Sequence, residues 1–211
     1  ALFKKEHHAV DIGLFGRMLA EKPEYNTEAA AQIAHAITVH KVAVEDDYFT
    51  AVDDLNDKKN KGSAYIGETE FAAGLFYLYI CIDRNLLIGN LGSEELAQKT
   101  LRALAETAAT VSPTGHQNSF ASRAYASFVL AEKGRKQPRS LSVAFLTPVS
   151  GKNNMLKEAI TKLTDTKDNM NEVYGAISET EYEINTMDKK GNMQELLNFV
   201  SAPLADEKEA K

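Results

Sequence analysis

The feature that most constrains this sequence is a β-rich excursion with little core of its own. Tyr48-Phe-Thr-Ala-Val52 and Ala64-Tyr-Ile66 are rich in β-branched and aromatic residues, and the polar stretch from Asn56 to Ser63 joins them. Such a pattern predicts a hairpin with a soft tip. Two strands bury little and are marginal in water, so the excursion needs a partner. In a strand Phe49 and Ala51 share one face while Tyr48, Thr50 and Val52 share the other. A projecting hairpin therefore shows apolar groups on both sides. Either it packs on its own domain, or Phe49 and its neighbours wedge against unpaired nucleic-acid bases. Aromatic stacking on such bases is worth about 1 to 3 kcal/mol per base.

The rest of the chain supplies alternating strand and helix patterns. Val10 to Arg17 reads as a buried strand, with Gly13 and Gly16 marking places of close approach. Ile37-Thr-Val39 and Leu75 to Ile82 read as strands, as do Ala124 to Leu130 and its partner Leu141 to Phe145. Ser93 caps a predicted helix from Glu94 to about Ala109. Further helices are expected over about 153 to 163 and 194 to 200, flanking a polar stretch. The tail from Ala205 is expected to fray. Strands interrupted by single helices give an α+β fold, a sheet layered with helices, compatible with a ferredoxin-like or RRM-like sheet.

Composition narrows the functional classes. The 211 residues fit one domain, or one domain with a projecting subdomain, and nothing resembles an apolar run long enough to span a bilayer. The charged start from Ala1 to His8 is unlike a signal peptide. Cys81, a lone cysteine in an apolar run, reads as a small packing residue. These features favour a reducing, cytoplasmic setting. The formal net charge is -6, from 24 Lys and Arg against 30 Asp and Glu. That balance is unusual for a phosphate-neutralising protein.

No phosphate loop, nucleophile elbow or kinase signature is present, and no cofactor is implied. Of the five histidines, His35 and His40 lack the spacing and companions of a zinc site. The adjacent acids Asp46-Asp47 and Asp53-Asp54 point to opposite strand faces and suit a solvated rim better than a shared acid/base pair. The loop Gly115-His-Gln-Asn118 offers exposed donors, either solvated or suited to phosphate and ribose.

Three stretches, in order, carry a family resemblance: Val10-Asp-Ile-Gly-Leu-Phe-Gly-Arg-Met18, then Ile33-Ala-His-Ala-Ile-Thr-Val-His40, then Asp46-Asp-Tyr-Phe-Thr-Ala-Val-Asp-Asp-Leu55 with Gly62-Ser-Ala-Tyr-Ile-Gly-Glu-Thr-Glu-Phe71. Weaker similarity continues through Gly115-His-Gln-Asn-Ser-Phe120. The sequence resembles the backbone subunit of the type I-E CRISPR surveillance complex, Cascade, in the RAMP superfamily. The resemblance implies a hand-shaped, non-enzymatic protein whose copies stack into a filament along a guide CRISPR RNA. Its partners would be that RNA, target DNA paired through it, copies of itself and other Cascade subunits, with no membrane.

Under this resemblance residues 1–41 are the first part of an RRM-like palm. Residues 42–70 form a thumb hairpin, and 71–204 the second part of the palm with flanking helices. Residues 205–211 form a disordered tail. Phe49, Thr50, Val52 and Ile66 occupy positions that press on a displaced base, with Tyr48 beside them. Arg17 and Met18 close a palm motif, where Met18 packs against a neighbouring base. His116, Gln117 and Asn118 match a palm loop beside the guide, although the family more often has Lys at the position of His116. An amino-terminal portion of the palm, with basic guide-binding groups, is expected to precede residue 1, which would account for the acidic balance.

Two alternatives stand beside this reading. One is an RRM-like CRISPR endoribonuclease, for which His40 beside Lys41 is the acid/base candidate. The other is a structural subunit without RNA contact.

Overall fold

The computed structural model describes residues 9–51, 65–151 and 154–204. Helix α1 (Val10–Phe15) leads through a short 3-10 turn to strands β1 (Ala31–Ile33), β2 (Ile37–Thr38) and β3 (Glu45–Ala51). After β4 (Tyr65–Phe71), β5 (Phe76–Tyr77) and β6 (Ile80–Ile82) come helices α2 (Arg84–Leu91), α3 (Glu94–Thr110) and the single turn α4 (Gln117–Phe120). Strand β7 (Phe128–Lys133), helix α5 (Met155–Tyr174), strand β8 (Thr180–Asn185) and helix α6 (Met193–Ser201) complete the order. The class is α+β, as the pattern predicts.

One antiparallel ribbon organises the first half. β1 pairs with β6, β2 with β5 and β3 with β4, so the stretch before the hairpin and the stretch after it run side by side. Backbone bonds bridge the gaps, from the Ala34 amide to the Tyr79 carbonyl (3.0 Å) and from the Val39 amide to the Leu75 carbonyl (3.0 Å). The register slips between successive pieces, which splits the expected Leu75 to Ile82 strand in two. Such interruptions bend a ribbon and re-aim its faces. The hairpin is therefore the outer end of the ribbon.

The segment from Val10 to Arg17 is a helix, in place of the predicted strand. Its β-branched and aromatic residues suggested extension, but Val10, Gly13 and Leu14 fall on one helical face and meet α2 and α3. Gly13 makes this close crossing possible: a Cβ added there would lie 2.7 Å from Leu91 Cδ2. The helix stops at Gly16, whose φ of +76° lies in the region that favours glycine. Asn90 fastens it further, its side-chain amide donating to the carbonyls of Gly13 (3.0 Å) and Glu28 (2.9 Å).

Two apolar clusters form beneath the ribbon. The first joins Leu14, Ala30 and Ala31 to Leu87, Leu91, Ala97 and Leu101. Asp83 and Ser93 cap α2 and α3 by accepting from the amides of Leu86 (2.9 Å) and Leu96 (3.2 Å). The second cluster joins Val39, Leu141, Phe145 and Val149 to Ala159 and Leu163 of α5. Here Tyr77 packs on Phe145 with ring centroids 5.5 Å apart, and its hydroxyl accepts from the Leu141 amide (2.9 Å).

Further along, the structure corrects the expected pairing. Leu141 to Phe145 is no strand: residues 142–145 form a 3-10 turn that drops Leu141 and Phe145 into the second cluster. The partner of β7 is β8, within the polar stretch between the last two helices. The alternating carboxylates Glu181 and Glu183 on one face of β8 make it read as a polar stretch, although Asn185 on the same face is buried. Cys81 is half-buried, and burial, with the neighbouring Cys81 thiol, pushes the Tyr79 hydroxyl up to about 12. No helix among the described residues is long and apolar enough to cross a membrane.

Candidate nucleic-acid interface

The hairpin ladder runs from Glu45 opposite Phe71 to Ala51 opposite Tyr65. Phe49 stands directly across from Gly67, and a Cβ at Gly67 would run into the ring and lie 2.8 Å from Cε1 and Cε2. Glycine is the one residue that lets this ring settle over the opposite strand. Phe49 still leaves 43% of itself exposed, and Tyr48, on the other face, 63%. Thr50 is exposed and stands opposite Ile66 in the ladder. Val52 lies outside the described residues, and for Ile66 only the backbone position is described. Carboxylates line the stem: Asp46 stands opposite Glu70 and Tyr48 opposite Glu68. Like charges face to face disfavour the ladder in isolation.

A second element meets the root of this hairpin. The turn α4 is bracketed by two non-glycine residues in the left-handed region, His116 (φ +55°) and Ala121 (φ +49°). Such residues cost about 1 to 3 kcal/mol each and persist where their surroundings hold them. The holding groups are present. The Gln117 side-chain amide donates to the carbonyls of Pro113 and Ser122, and the Ser112 hydroxyl donates to the Ala124 carbonyl (3.1 Å) while accepting from the Ala124 amide (2.9 Å). The loop is therefore a stiff post. It leaves His116, Asn118 and Phe120 exposed, whereas Gln117 is half-buried and spends its amide on the loop itself.

The two elements touch through aromatic rings. Phe120 lies 6.4 Å from Phe71, centroid to centroid, and 5.6 Å from His116. By strand alternation Phe71 shares the hairpin face that carries Phe49. An exposed aromatic line thus runs from the stem across its root onto the loop. Phe71 and Phe120 were not among the predicted site residues. Each closes one of the stretches that carry the family resemblance, and that shared aromatic ending was the available signal.

Arg17 and Met18 sit elsewhere. The Arg17 guanidinium donates to the Tyr25 carbonyl (2.8 Å from Nη2, 3.3 Å from Nε), holding the turn after α1 closed. Met18 is 85% exposed at an open cleft of about 500 Å³, lined by residues 15–18 and 26–29 and by none from the hairpin or the loop.

His40 marks the point where the chain leaves the ribbon for the hairpin. Its Nε2 accepts from the Leu75 amide (3.0 Å), which places the proton on Nδ1, facing the Lys41 carbonyl at 2.9 Å. Both ring nitrogens are thus tied to backbone.

The basic run from Lys133 to Arg139 is likewise committed internally. Lys133 donates to the carbonyls of Phe199 (2.9 Å) and Ala202 (3.0 Å) at the end of α6. Arg135 pairs with Glu179 (2.7 Å), Lys136 donates to the Ala176 carbonyl (2.7 Å) and Arg139 pairs with Glu132 (2.9 Å). Among the described residues no group of three or more His, Cys, Asp or Glu could hold a metal ion.

Comparison with known proteins places this geometry. A family model described as CT1975-like protein matches residues 1–202. No curated protein matches the chain. Among solved structures, a chain described as "CRISPR RNA-guided surveillance complex, pre-nicking" is similar with a TM-score of 0.81 at 28% identity, over 92% of this chain and 55% of that one. Another, described as "CRISPR RNA-guided surveillance complex", is similar with a TM-score of 0.74 at 30% identity, over 87% of this chain and 70% of that one. The chain spans about half the length of the first. These likenesses bear out the α+β, RRM-like class. The chain belongs to the CT1975-like protein family, the Cascade backbone family that its sequence resembles.

Proposed function

We propose that this chain acts in the cytoplasm as a guide-RNA-binding backbone subunit of a type I-E CRISPR surveillance complex, with no catalysis of its own. Copies polymerise along the guide and present it for pairing with target DNA in antiviral defence. The observation that carries this reading is the projecting hairpin, with Phe49 and Tyr48 outward and an aromatic line continuing onto the loop at its root. Aromatic faces accept any base, so they grip an unpaired strand without reading its sequence. Base pairing then supplies specificity while protein reads backbone and shape. The stem carboxylates repel phosphates, which favours bases as what the hairpin meets. Met18, exposed at its own cleft, is proposed as a second base contact, and His116 and Asn118 as ribose or phosphate contacts. The hydrogen bonds of His40 support a structural role in place of acid/base work.

Ultraviolet crosslinking of the assembled, guide-bearing complex, followed by peptide mapping, tests the proposal. Crosslinks on Phe49 or Met18 are expected. An assembled filament with neither residue crosslinked would contradict it.

A further inference from the structure

We infer that Phe120 is a positioning residue: it pins the root of the hairpin to the stiff loop and so sets where Phe49 is presented. This deepens the RNA-binding reading and rests on it for its consequence, although the pin itself is a property of the protein alone.

Among the described residues no other element packs extensively against the hairpin. Among the described elements, β3 and β4 make their extensive contacts with each other. A ribbon held mainly by its own two strands and interrupted at its register slips can swing at its root. Phe71, the last residue of β4, is where the hairpin meets another aromatic ring, that of Phe120. The loop behind Phe120 is cross-linked by hydrogen bonds. Its left-handed flanks are held by the Gln117 amide and the Ser112 hydroxyl, and the Ala126 amide donates to the Ala109 carbonyl (2.8 Å) at the end of α3. Orientation thus passes from α3 through the loop and Phe120 to the hairpin.

The lever is long enough to matter. Gly67, which faces Phe49, is four residues from Phe71 along β4, or about 13 Å at about 3.3 Å per residue. A tilt of roughly 20° at the root would move Phe49 by about 4 to 5 Å, more than the rise of about 3.4 Å between stacked bases. His116 packs on Phe120 as well, so RNA held at the loop and RNA met by the hairpin bear on one ring. Phe120 has protein rings as neighbours, Phe71 and His116, which suits a pin better than a platform for a base of its own.

Hydrogen exchange of the hairpin stem, residues 45–50 and 67–71, tests this on the full chain. It is measured in wild type, Phe120→Ala, Phe71→Ala, the double variant and Phe120→Tyr, each with and without a single-stranded oligouridine. An aromatic pair of this kind should slow stem opening by about two- to tenfold. Phe120→Ala should therefore speed stem exchange by that factor, Phe71→Ala equally, the double variant no further, and Phe120→Tyr should restore it. Oligouridine should slow stem exchange in wild type but much less in Phe120→Ala. Unchanged stem exchange in Phe120→Ala, or effects that add in the double variant, would overturn the pin. Equal protection of wild type and Phe120→Ala by oligouridine would also overturn it while sparing the RNA reading. If oligouridine protects nothing yet Phe120→Ala still loosens the stem, the pin stands and the RNA reading fails.

Discussion

Phe49 and Gly67 face each other across the hairpin so closely that any side chain at Gly67 would displace the ring. The presentation of Phe49 therefore depends on a glycine in the opposite strand. Gly67→Ala should leave the melting temperature within about 2 to 4 °C of wild type, the shift produced by about 1 kcal/mol in a chain of this size. It should weaken guide-RNA binding, because the ring leaves its seat. Normal binding by Gly67→Ala would show that the seat is irrelevant.

Gly13 offers a test of the first helix. Because a Cβ there meets Leu91, Gly13→Val should overpack the first cluster and destabilise the protein by about 1 to 3 kcal/mol. Were the segment a strand, valine would suit it and the protein would gain stability. Urea denaturation of the two proteins separates these outcomes.

What could be read from residues alone followed the strength of the local signal. The hairpin, the Ser93-capped helix and the class were legible because alternation, capping and turn chemistry are short-range. Val10 to Phe15 was misread because β-propensity favoured a strand, and only the distant Leu91 makes Gly13 a helix-packing residue. β8 was missed because its alternating charges look like solvated loop until β7 lies beside it. The outward place of Phe49 follows from its strand position. The contact of Phe120 with Phe71 does not, since the two rings lie far apart in the chain. The bonds from Arg17 Nη2 and the Gln117 amide to nearby carbonyls are set by loop geometry, which the sequence does not display.

Lys167 is buried on α5 and its ammonium lies 2.9 Å from Glu181, with Asp168 at 3.5 Å. Burial pulls its pKa down, yet the Glu181 and Asp168 carboxylates together outweigh this and hold it above the ordinary lysine value. Leaving the buried ammonium without its carboxylate should hurt more than removing the ammonium, because Glu181 left alone is half exposed and solvent takes up its charge. Glu181→Gln should cost about 1 kcal/mol, a modest figure because the carboxylate is half exposed. Lys167→Met should stay within about 1 kcal/mol of wild type. Thermal melts of both variants check the order, and a larger loss in Lys167→Met would reverse it.

Glu158 supplies a pH signature. Its carboxylate accepts from the Ser150 amide and hydroxyl, each at 3.0 Å, and the Ser150 amide chiefly holds its pKa below the ordinary glutamate value. A depressed carboxyl pKa adds stability that is full above the unfolded value of about 4.3 and fades as pH falls through the folded value. Wild type should thus melt above Glu158→Ala at pH 6 to 7, and the gap should close as pH drops below about 4. A gap that persists unchanged at pH 3 would assign the loss to packing.

The most direct test of the central claim is Phe49→Ala, assayed on one preparation for melting temperature and for guide-RNA filament assembly. Phe49 is exposed and outside both apolar clusters, so its melting temperature should fall by no more than about 2 to 4 °C. Assembly or target pairing should weaken at least about fivefold, the lower end of what one lost base stack implies. A loss of about 3 to 5 kcal/mol in stability would mark Phe49 as core, and unchanged melting with normal assembly and pairing would contradict the wedge.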